Sequence, residues 1–369
     1  TTGNGRKYES MQHNMPCDAF AFSGAVRSCK RYGSGHINET YRVLTDGGDY
    51  ILQKVSRTAF HDPAALMENV VAVIRHLRQK TDDPRGALSL VPTRDGRDYL
   101  LTEAGECWRA YDFIEGSICL DAAQTPEDFY QSAVAFGTFQ RQLADFPAAS
   151  LHETIPDFHN TPARIAQFRA ALEADACGRA ASARAEIDFV LRHAAEADAL
   201  TGRLAAGELP LRVTHNDTKL NNVMLDAATR RALCVIDLDT VMPGLSLYDY
   251  GDSIRFGAST AAEDEPDVGR VDLDLRLFET YTRGYLASCG SALTEAEIAL
   301  FPMGAKMMTF ECGTRFLTDY LSGDTYFHTA RAGHNLDRCR TQFRLVARME
   351  DRWQQMEASV RRIAEEVLR

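Results

Sequence analysis

Residues 213–226 read VTHNDTKLNNVMLD and form the densest polar segment on an otherwise apolar background. Apolar stretches at residues 211–214 and 233–237 favour β-strands and enclose this segment, so the pattern predicts a loop between two strands. The second stretch ends on the carboxylates Asp237 and Asp239. Loops held by rigid elements are the usual place for catalytic side chains. We therefore expect the chemistry of this chain to lie here.

The order of the polar residues in this segment indicates phosphoryl transfer from a nucleotide. Such a transfer needs a carboxylate that accepts or orients the acceptor hydroxyl, and an Asn and an Asp that hold a metal ion. Asp217 would be the base, and Asn222 and Asp237 would be the Mg²⁺ ligands. His215 is expected to brace the loop rather than to touch substrate. For any one of these residues taken alone, a simple role in a turn or a solvated strand end is the alternative.

The rest of the chain predicts an α+β protein of two lobes. Residues 20–115 carry short β patterns, including a hairpin around Asp46-Gly47-Gly48, and one helix that opens at Asp62-Pro63. Residues 116–369 are mostly helical in period and form the larger lobe. Its expected helices start at Pro126, Pro162 and Ser182 and, with little interruption, from Leu273 to the end. We expect residues 1–19 to be a flexible leader.

A glycine-containing segment precedes the first hairpin strand and indicates a phosphate-binding loop. Gly33 and Gly35 would let backbone N–H groups approach phosphate oxygens, although Asn38 stands where a third glycine is usual. Lys54 follows on the next strand and is the candidate for gripping the α and β phosphates. Glu68, on the following helix, could hold it by an ion pair, and a plain surface lysine is the alternative.

Composition excludes several classes of partner. The 369 residues include 41 Lys and Arg against 52 Asp and Glu, and the resulting net charge of −11 disfavours nucleic acid and anionic membranes. No apolar run approaches the length of about 18 residues needed to span a bilayer. The nine cysteines include no C-x-x-C pair, which argues against a zinc site or a disulfide framework. We expect a cytoplasmic protein with a small-molecule substrate, and the oligomeric state stays open.

Residues 214–226, together with 234–252, resemble the catalytic core of the aminoglycoside phosphotransferase and choline kinase superfamily. The resemblance implies a two-lobed protein-kinase-like fold, with ATP and Mg²⁺ as cofactors. Three longer strings, at residues 215–222, 236–244 and 310–319, resemble the N-acetylhexosamine 1-kinases of that superfamily. This closer likeness implies phosphorylation of the anomeric C1 hydroxyl of N-acetylglucosamine or N-acetylgalactosamine.

The same resemblance assigns substrate contacts. Thr240, Arg315 and Tyr326 match sugar-contacting positions, and Asp217 would touch the acceptor as well as act as base. For Arg315, an ion pair with Asp319 at helical i,i+4 spacing is the alternative. Protein substrates are not expected, because Asp-Leu-Asp replaces Asp-Phe-Gly and no Ala-Pro-Glu segment follows.

Two further carboxylates follow the second strand of the motif. Asp249 is expected to brace the catalytic loop from a helix start, and the segment 252–255 either extends that network or points Arg255 towards phosphate.

The rival functions are an aminoglycoside- or choline-type kinase and a nucleotide-binding pseudokinase without turnover.

Overall fold

A computed structural model describes residues 15–33 and 37–369. The chain divides into two compact units, with the boundary between Ser117 and Ile118. The first unit is built on an antiparallel sheet, and the second is mainly helical. This is the α+β architecture that the sequence predicts, with the β-rich region first and the helical region after it.

Within residues 15–33 and 37–117, the first unit contains six strands and one long helix. The strands are β1 (Val26–Arg31), β2 (Glu39–Thr45), β3 (Gly48–Lys54), β4 (Leu90–Val91), β5 (Leu100–Leu101) and β6 (Cys107–Asp112), and the helix is α1 (Pro63–Arg78). The sheet order is β1-β2-β3-β6-β4, and β5 also pairs with β6. Asp62 caps α1 by accepting from the N–H groups of Ala64 and Ala65, as predicted.

Strand alternation places the core of this unit on one face of the sheet. Tyr41 and Val43 of β2 lie with Tyr50 and Leu52 of β3 in a buried cluster. The hairpin between these strands turns at residues 46–47, as the Asp-Gly-Gly sequence predicts. The sequence Asp95-Gly96 also predicts a turn, and the Gly96 N–H donates to the Thr93 carbonyl there at 2.9 Å. The strands on either side, β4 and β5, each pair with β6.

The second unit contains ten α-helices in the described part of the chain. They are α2 (Pro126–Gln142), α3 (Thr161–Ala174), α4 (Arg184–His193), α5 (Thr201–Ala205), α6 (Ser246–Gly257), α7 (Leu275–Cys289), α8 (Glu295–Ala299), α9 (Phe301–Leu321), α10 (His334–Asp351) and α11 (Trp353–Val367). After β7 (Ser117–Cys119) its strands are β8 (Arg212–Thr214), β9 (Val223–Asp226), β10 (Ala232–Val235) and β11 (Met242–Gly244). They pair in the orders β10-β9-β7 and β11-β8. Within residues 15–33 and 37–369, no helix has the length and hydropathy needed to cross a membrane.

The predicted helix from Ser182 to Ala206 is wrong as a single element. The segment breaks into α4 and α5, with 3-10 turns at Ala180–Ala183 and Ala194–Glu196. Ser182 does not cap a helix, because its hydroxyl donates to the carbonyl of Arg179. The short strands β9 and β11 were not predicted either, since three or four residues carry too little periodicity to distinguish a strand from a loop.

Candidate active site

The polar loop at residues 215–222 is fixed by strands at both ends. On one side β8 pairs with β11, and the Thr214 hydroxyl also donates to the carbonyl of Met242 at 2.9 Å. On the other side β9 pairs with β10, with Val223 opposite Val235. The loop therefore starts and ends on hydrogen-bonded backbone, as the flanking apolar sequence predicts.

Asp217 lies in this loop with both carboxylate oxygens in contact with donors. The Asn222 side-chain amide donates to Oδ2 at 3.1 Å and to the Asp217 carbonyl at 2.9 Å, and the Lys219 ammonium lies 3.3 Å from Oδ1. The Asp217 side chain is 32% exposed, so it is held in place and still open to a substrate. Burial alone would lower the pKa of Lys219, but the carboxylates of Asp217 and Asp252 raise it above its usual value. Lys219 has no predicted role from the sequence, where its position two residues after Asp217 is the available signal.

His215 braces the loop, as expected. Its Nδ1 accepts from the backbone N–H of Asp217 at 3.2 Å, so Nε2 carries the proton and donates to the carbonyl of Ile236 at 2.9 Å. The rings of Phe136 and Phe139 pack edge-on against the imidazole. The histidine is fully buried, and it ties the catalytic loop to the end of β10.

The Asp249 carboxylate supports the same loop from the first turns of α6. Its two oxygens accept from the backbone N–H groups of His215 and Asn216, both at 2.8 Å. Asn216 adopts φ +67°, a left-handed conformation that carries strain outside glycine. Complete burial raises the pKa of Asp249. The structure therefore confirms Asp249 as the helix-start carboxylate that braces the loop.

Asp252 and Arg255 extend this network. Thr218 donates its backbone N–H to Asp252 Oδ2 at 3.3 Å, and Arg255 Nε donates to Oδ1 at 2.9 Å. Arg255 also pairs with Glu263 and is buried. Burial would raise the pKa of Asp252, but the Arg255 charge lowers it below its usual value. Of the two expectations for this segment, the contacts support the structural network, because the guanidinium is already paired with carboxylates.

The two expected Mg²⁺ ligands come from adjacent points of the β9–β10 pair. The backbone N–H of Ile236 donates to the Asn222 carbonyl at 2.9 Å, so Asp237, the residue after Ile236, lies near Asn222 in space. The Asn222 amide nitrogen is used by Asp217, whereas its Oδ1 makes no hydrogen bond to any described residue. Asp237 is exposed and adopts a left-handed backbone, φ 57° and ψ 69°.

An amide oxygen and a carboxylate suit a hard cation, so these two residues fit Mg²⁺. The described residues contain no group of three or more His, Cys, Asp and Glu side chains that could hold a metal. That finding is compatible with Mg²⁺, since this ion usually takes one or two protein ligands together with substrate phosphates. A zinc-type site is not present in the described part of the chain.

Thr240 lies directly against the catalytic loop. Its hydroxyl donates to the His215 carbonyl at 2.6 Å, and its own carbonyl accepts from the Asn216 side-chain amide at 2.9 Å. The hydroxyl proton is therefore committed to the loop. Any contact of this hydroxyl with a substrate would have to use its oxygen as an acceptor.

Arg315 lies on α9 inside a group of three aromatic rings. Its guanidinium carbon is 5.3 Å from the ring centre of Phe158, 5.8 Å from Tyr326 and 5.4 Å from Phe327. It makes no hydrogen bond or ion pair with any residue in the described part of the chain. Tyr326 is 69% exposed. The structure thus brings Arg315 and Tyr326 together and leaves the donors of Arg315 available.

The alternative ion pair between Arg315 and Asp319 is wrong. The Asp319 carboxylate instead accepts from the backbone N–H groups of Thr325, Tyr326 and Phe327, and from the Asn335 side chain. These bonds fold the segment after α9 back over the helix. Asp319 therefore holds the two aromatic residues that flank Arg315 and does not neutralise the arginine itself.

In the first unit, Lys54 is held by a different carboxylate from the one expected. Its ammonium donates to Glu106 Oε1 at 2.5 Å, so Glu106, and not Glu68, is its ion-pair partner. The hydrogen bond from Lys54 lowers the pKa of Glu106.

Gly33 follows β1 with φ +77°, a conformation that favours glycine. Gly35 lies outside the described residues.

Comparison with known proteins places this geometry in context. Three solved structures share the fold at low sequence identity. The microcompartment-associated aminopropanol kinase has a TM-score of 0.59 at 16% identity, covering 95% of this chain and 98% of its own. The choline kinase from Cryptosporidium parvum has a TM-score of 0.55 at 13% identity, covering 90% and 92%. Spectinomycin phosphotransferase, solved with ADP and spectinomycin, has a TM-score of 0.52 at 12% identity, covering 94% and 98%.

The sequence itself carries the family assignment. Residues 28–286 match the phosphotransferase enzyme family, which is more than half of the chain. The matched range includes the catalytic loop, β10 and α6, where the contacts of Asp217, Asn222 and Asp249 were found. The chain belongs to the phosphotransferase enzyme family and has its kinase-like fold.

Proposed function

We propose that this chain is a sugar kinase that transfers the γ-phosphoryl group of ATP to the anomeric C1 hydroxyl of an N-acetylhexosamine, giving the sugar 1-phosphate. Membership of the phosphotransferase family supports the reaction class. The sugar and the C1 position rest on the likeness of the strings at residues 215–222, 236–244 and 310–319 to N-acetylhexosamine 1-kinases.

The observation that carries the choice of acceptor is the guanidinium of Arg315, which forms no ion pair with any residue that the structure describes. Aminopropanol and choline, the acceptors in the names of two structural relatives, both carry an amine or ammonium group. A guanidinium without a carboxylate partner repels such a cation and offers its N–H groups to a neutral oxygen. The neighbouring rings of Phe158 and Tyr326 provide apolar surface of the kind that sugar rings pack against. These features favour a neutral acetamido sugar.

Each residue of the catalytic loop has a part in the proposed transfer. Asp217 orients the acceptor hydroxyl and takes its proton as the phosphoryl group leaves ATP. Lys219, whose ammonium contacts Asp217, places a positive charge beside the reacting groups. His215 and Asp249 keep the loop in its left-handed turn.

The proposed nucleotide contacts are Gly33, Gly35 and Lys54, with Asn222 and Asp237 holding Mg²⁺. ADP in the structure of spectinomycin phosphotransferase supports an adenine nucleotide as donor. Mg²⁺, when bound, neutralises charge on the phosphates. Asn222 would hold it through its side-chain oxygen, which makes no hydrogen bond to a described residue, and Asp237 would hold it through its exposed carboxylate.

The test is a coupled ADP-release assay over a panel of acceptors. N-acetylglucosamine, N-acetylgalactosamine, unmodified hexoses, choline, aminopropanol and an aminoglycoside are compared at equal concentration, and the product is assigned by phosphorus NMR. We expect the two acetamido sugars to be preferred and the phosphate to be on C1. Turnover restricted to the cationic acceptors would replace the sugar by an amine-bearing substrate. No ADP release with any acceptor would favour a nucleotide-binding protein without turnover.

A further inference from the structure

A buried histidine lies next to Arg315 and has no assigned role. His159 precedes α3, and its Nδ1 is 2.8 Å from Oε1 of Glu311 on α9. The other carboxylate oxygen of Glu311 accepts from the Thr161 hydroxyl at 2.7 Å. The side chains of His159 and Glu311 are 10% and 2% exposed. The sequence gives no local signal for this pair, because its members are 152 residues apart.

The contact with Glu311 fixes the orientation of the imidazole. Burial would raise the pKa of Glu311, but the contact with His159 and the charge of Arg315 lower it below its usual value. An ionised carboxylate can only accept hydrogen bonds, so the proton between the two groups belongs to Nδ1. In the neutral imidazole, Nε2 then presents a lone pair.

This second nitrogen has no partner in the described part of the chain. His159 Nε2 is closed to solvent and forms no hydrogen bond, and such buried polar atoms are rare and costly. A second histidine–glutamate pair shows the ordinary arrangement. His193 contacts Glu350 through Nε2 at 2.9 Å and the Phe189 carbonyl through Nδ1 at 2.8 Å, so both of its nitrogens are used.

The position of His159 connects the Arg315 region with the catalytic loop. The ring centre of Phe158 lies 4.6 Å from that of His159 and 5.3 Å from the Arg315 guanidinium carbon, so one aromatic ring contacts both groups. Glu311 is one helical turn before Arg315 on α9. On the other side, His159 lies 5.2 Å from the ring of Tyr248, whose neighbour Asp249 holds the catalytic loop.

We propose that His159 is an acceptor-binding residue, whose Nε2 accepts a hydrogen bond from a hydroxyl of the sugar. Glu311 is the positioning residue that holds the imidazole in the required tautomer. The proposal rests on the proposed function, because it concerns the acceptor of that reaction. It adds a determinant that recognises a hydroxyl, next to a guanidinium that recognises a carbonyl or other neutral oxygen.

The kinetic test pairs His159→Phe with His193→Phe, the matched control from the fully satisfied pair. Each protein is assayed with N-acetylglucosamine and with its monodeoxy analogues. Loss of one neutral hydrogen bond predicts a KM for the sugar raised about three- to tenfold in His159→Phe, with the KM for ATP unchanged. For the wild type, the KM for one deoxy analogue should exceed the KM for N-acetylglucosamine by a similar factor, because this analogue lacks the hydroxyl that His159 binds. For His159→Phe, the two KM values should be equal. His193→Phe should keep the wild-type penalty.

A spectroscopic measurement on the wild type avoids any folding defect of the variant. Isotope-labelled histidine NMR follows the Nε2 resonances of His159 and His193 as sugar is added to the nucleotide-bound protein. We expect the His159 resonance to shift and the His193 resonance to stay. Unchanged deoxy penalties in a folded His159→Phe variant, or no shift at saturating sugar, would overturn this inference and leave the sugar kinase proposal standing. Failure of the wild type to phosphorylate any N-acetylhexosamine would overturn both.

Discussion

The ammonium of Lys219 lies 3.3 Å from Oδ1 of Asp217, on the opposite carboxylate oxygen from the one that accepts from Asn222. Two donors from the same loop therefore fix the plane of the carboxylate that we assign as base. Orientation of this kind lets a base meet its substrate without rearrangement.

Replacing Asp217 by Asn should remove most turnover and leave the fold intact. The amide keeps the size of the side chain and a contact with Asn222, but it cannot accept the hydroxyl proton. General-base contributions are about 10²- to 10⁴-fold, so we expect kcat to fall by that factor with an unchanged melting temperature. Asp188→Asn, at an exposed ion pair with Arg184, is the control and should keep full activity. Activity of Asp217→Asn within a few-fold of wild type would remove this residue from the role of base.

The two carboxylates at the end of β10 should respond differently to substitution. Asp237 is exposed, and its neighbour Asp239 is only 3% exposed. We expect Asp237→Ala to abolish the dependence of nucleotide affinity on Mg²⁺, because a metal ligand is lost. Asp239→Ala should mainly lower the melting temperature, because a buried group is removed. Calorimetric titration of ATP with and without Mg²⁺ checks both, and an unchanged Mg²⁺ dependence in Asp237→Ala would contradict the assignment.

Arg315→Ala should weaken the use of the sugar and spare the nucleotide. Hydrogen bonds to a charged group contribute about 1.5–3 kcal/mol, or roughly ten- to a hundredfold in KM for the acceptor. Arg338→Ala is the matched control, since its guanidinium also lies against an aromatic ring, that of Phe316, at 5.5 Å. Steady-state kinetics with each substrate varied in turn decide the outcome. Parallel losses for ATP and sugar would show that Arg315 supports the fold and not the acceptor.

A buried ion pair at the start of β8 gives a prediction about stability and pH. Glu297 accepts from Arg212 Nε at 2.6 Å and from Arg212 Nη2 at 2.8 Å, with further bonds from Thr294 and Ser246. Burial would raise the pKa of Glu297, but the Arg212 hydrogen bonds lower it below its usual value. Glu297 therefore binds a proton more readily in the unfolded chain than in the folded protein. The ion pair contributes fully to the free energy of unfolding above the ordinary carboxyl pKa, and this contribution is lost as the pH falls through the lower pKa of folded Glu297.

We accordingly expect Glu297→Gln to lower the free energy of unfolding by about 3 kcal/mol at pH 7, because it leaves a buried guanidinium without its charge partner. Below about pH 4.5, the free energy of unfolding should fall less steeply in the variant than in the wild type, because the variant has no carboxylate to protonate at this position. Glu295→Gln, an exposed residue in the same helix, is the control. Denaturant unfolding between pH 7 and pH 4 is the measurement, and equal stabilities of Glu297→Gln and wild type at pH 7 would contradict the prediction.

The sequence by itself determined the features that depend on neighbouring residues. Asp62 before Pro63 and Thr125 before Pro126 set the starts of α1 and α2, because a capping side chain reaches only two or three residues along the chain. The order of Asp217, Asn222 and Asp237 predicts roles in phosphoryl transfer, because that reaction places these residue types in this order on a loop and at the end of the strand that follows it. A catalytic loop between two strands has a fixed spacing that can be recognised without coordinates.

Only the tertiary structure decided the partners of charged side chains. Lys54 pairs with Glu106 and not Glu68, and Arg315 forms no ion pair with any described residue although Asp319 stands one turn away on the same helix. The carboxylate of Asp319 is taken by backbone N–H groups after α9. A long side chain can reach several candidate partners, and the choice among them depends on which buried polar groups must be satisfied when distant segments pack. That requirement is set by the folded molecule and has no local pattern in the sequence.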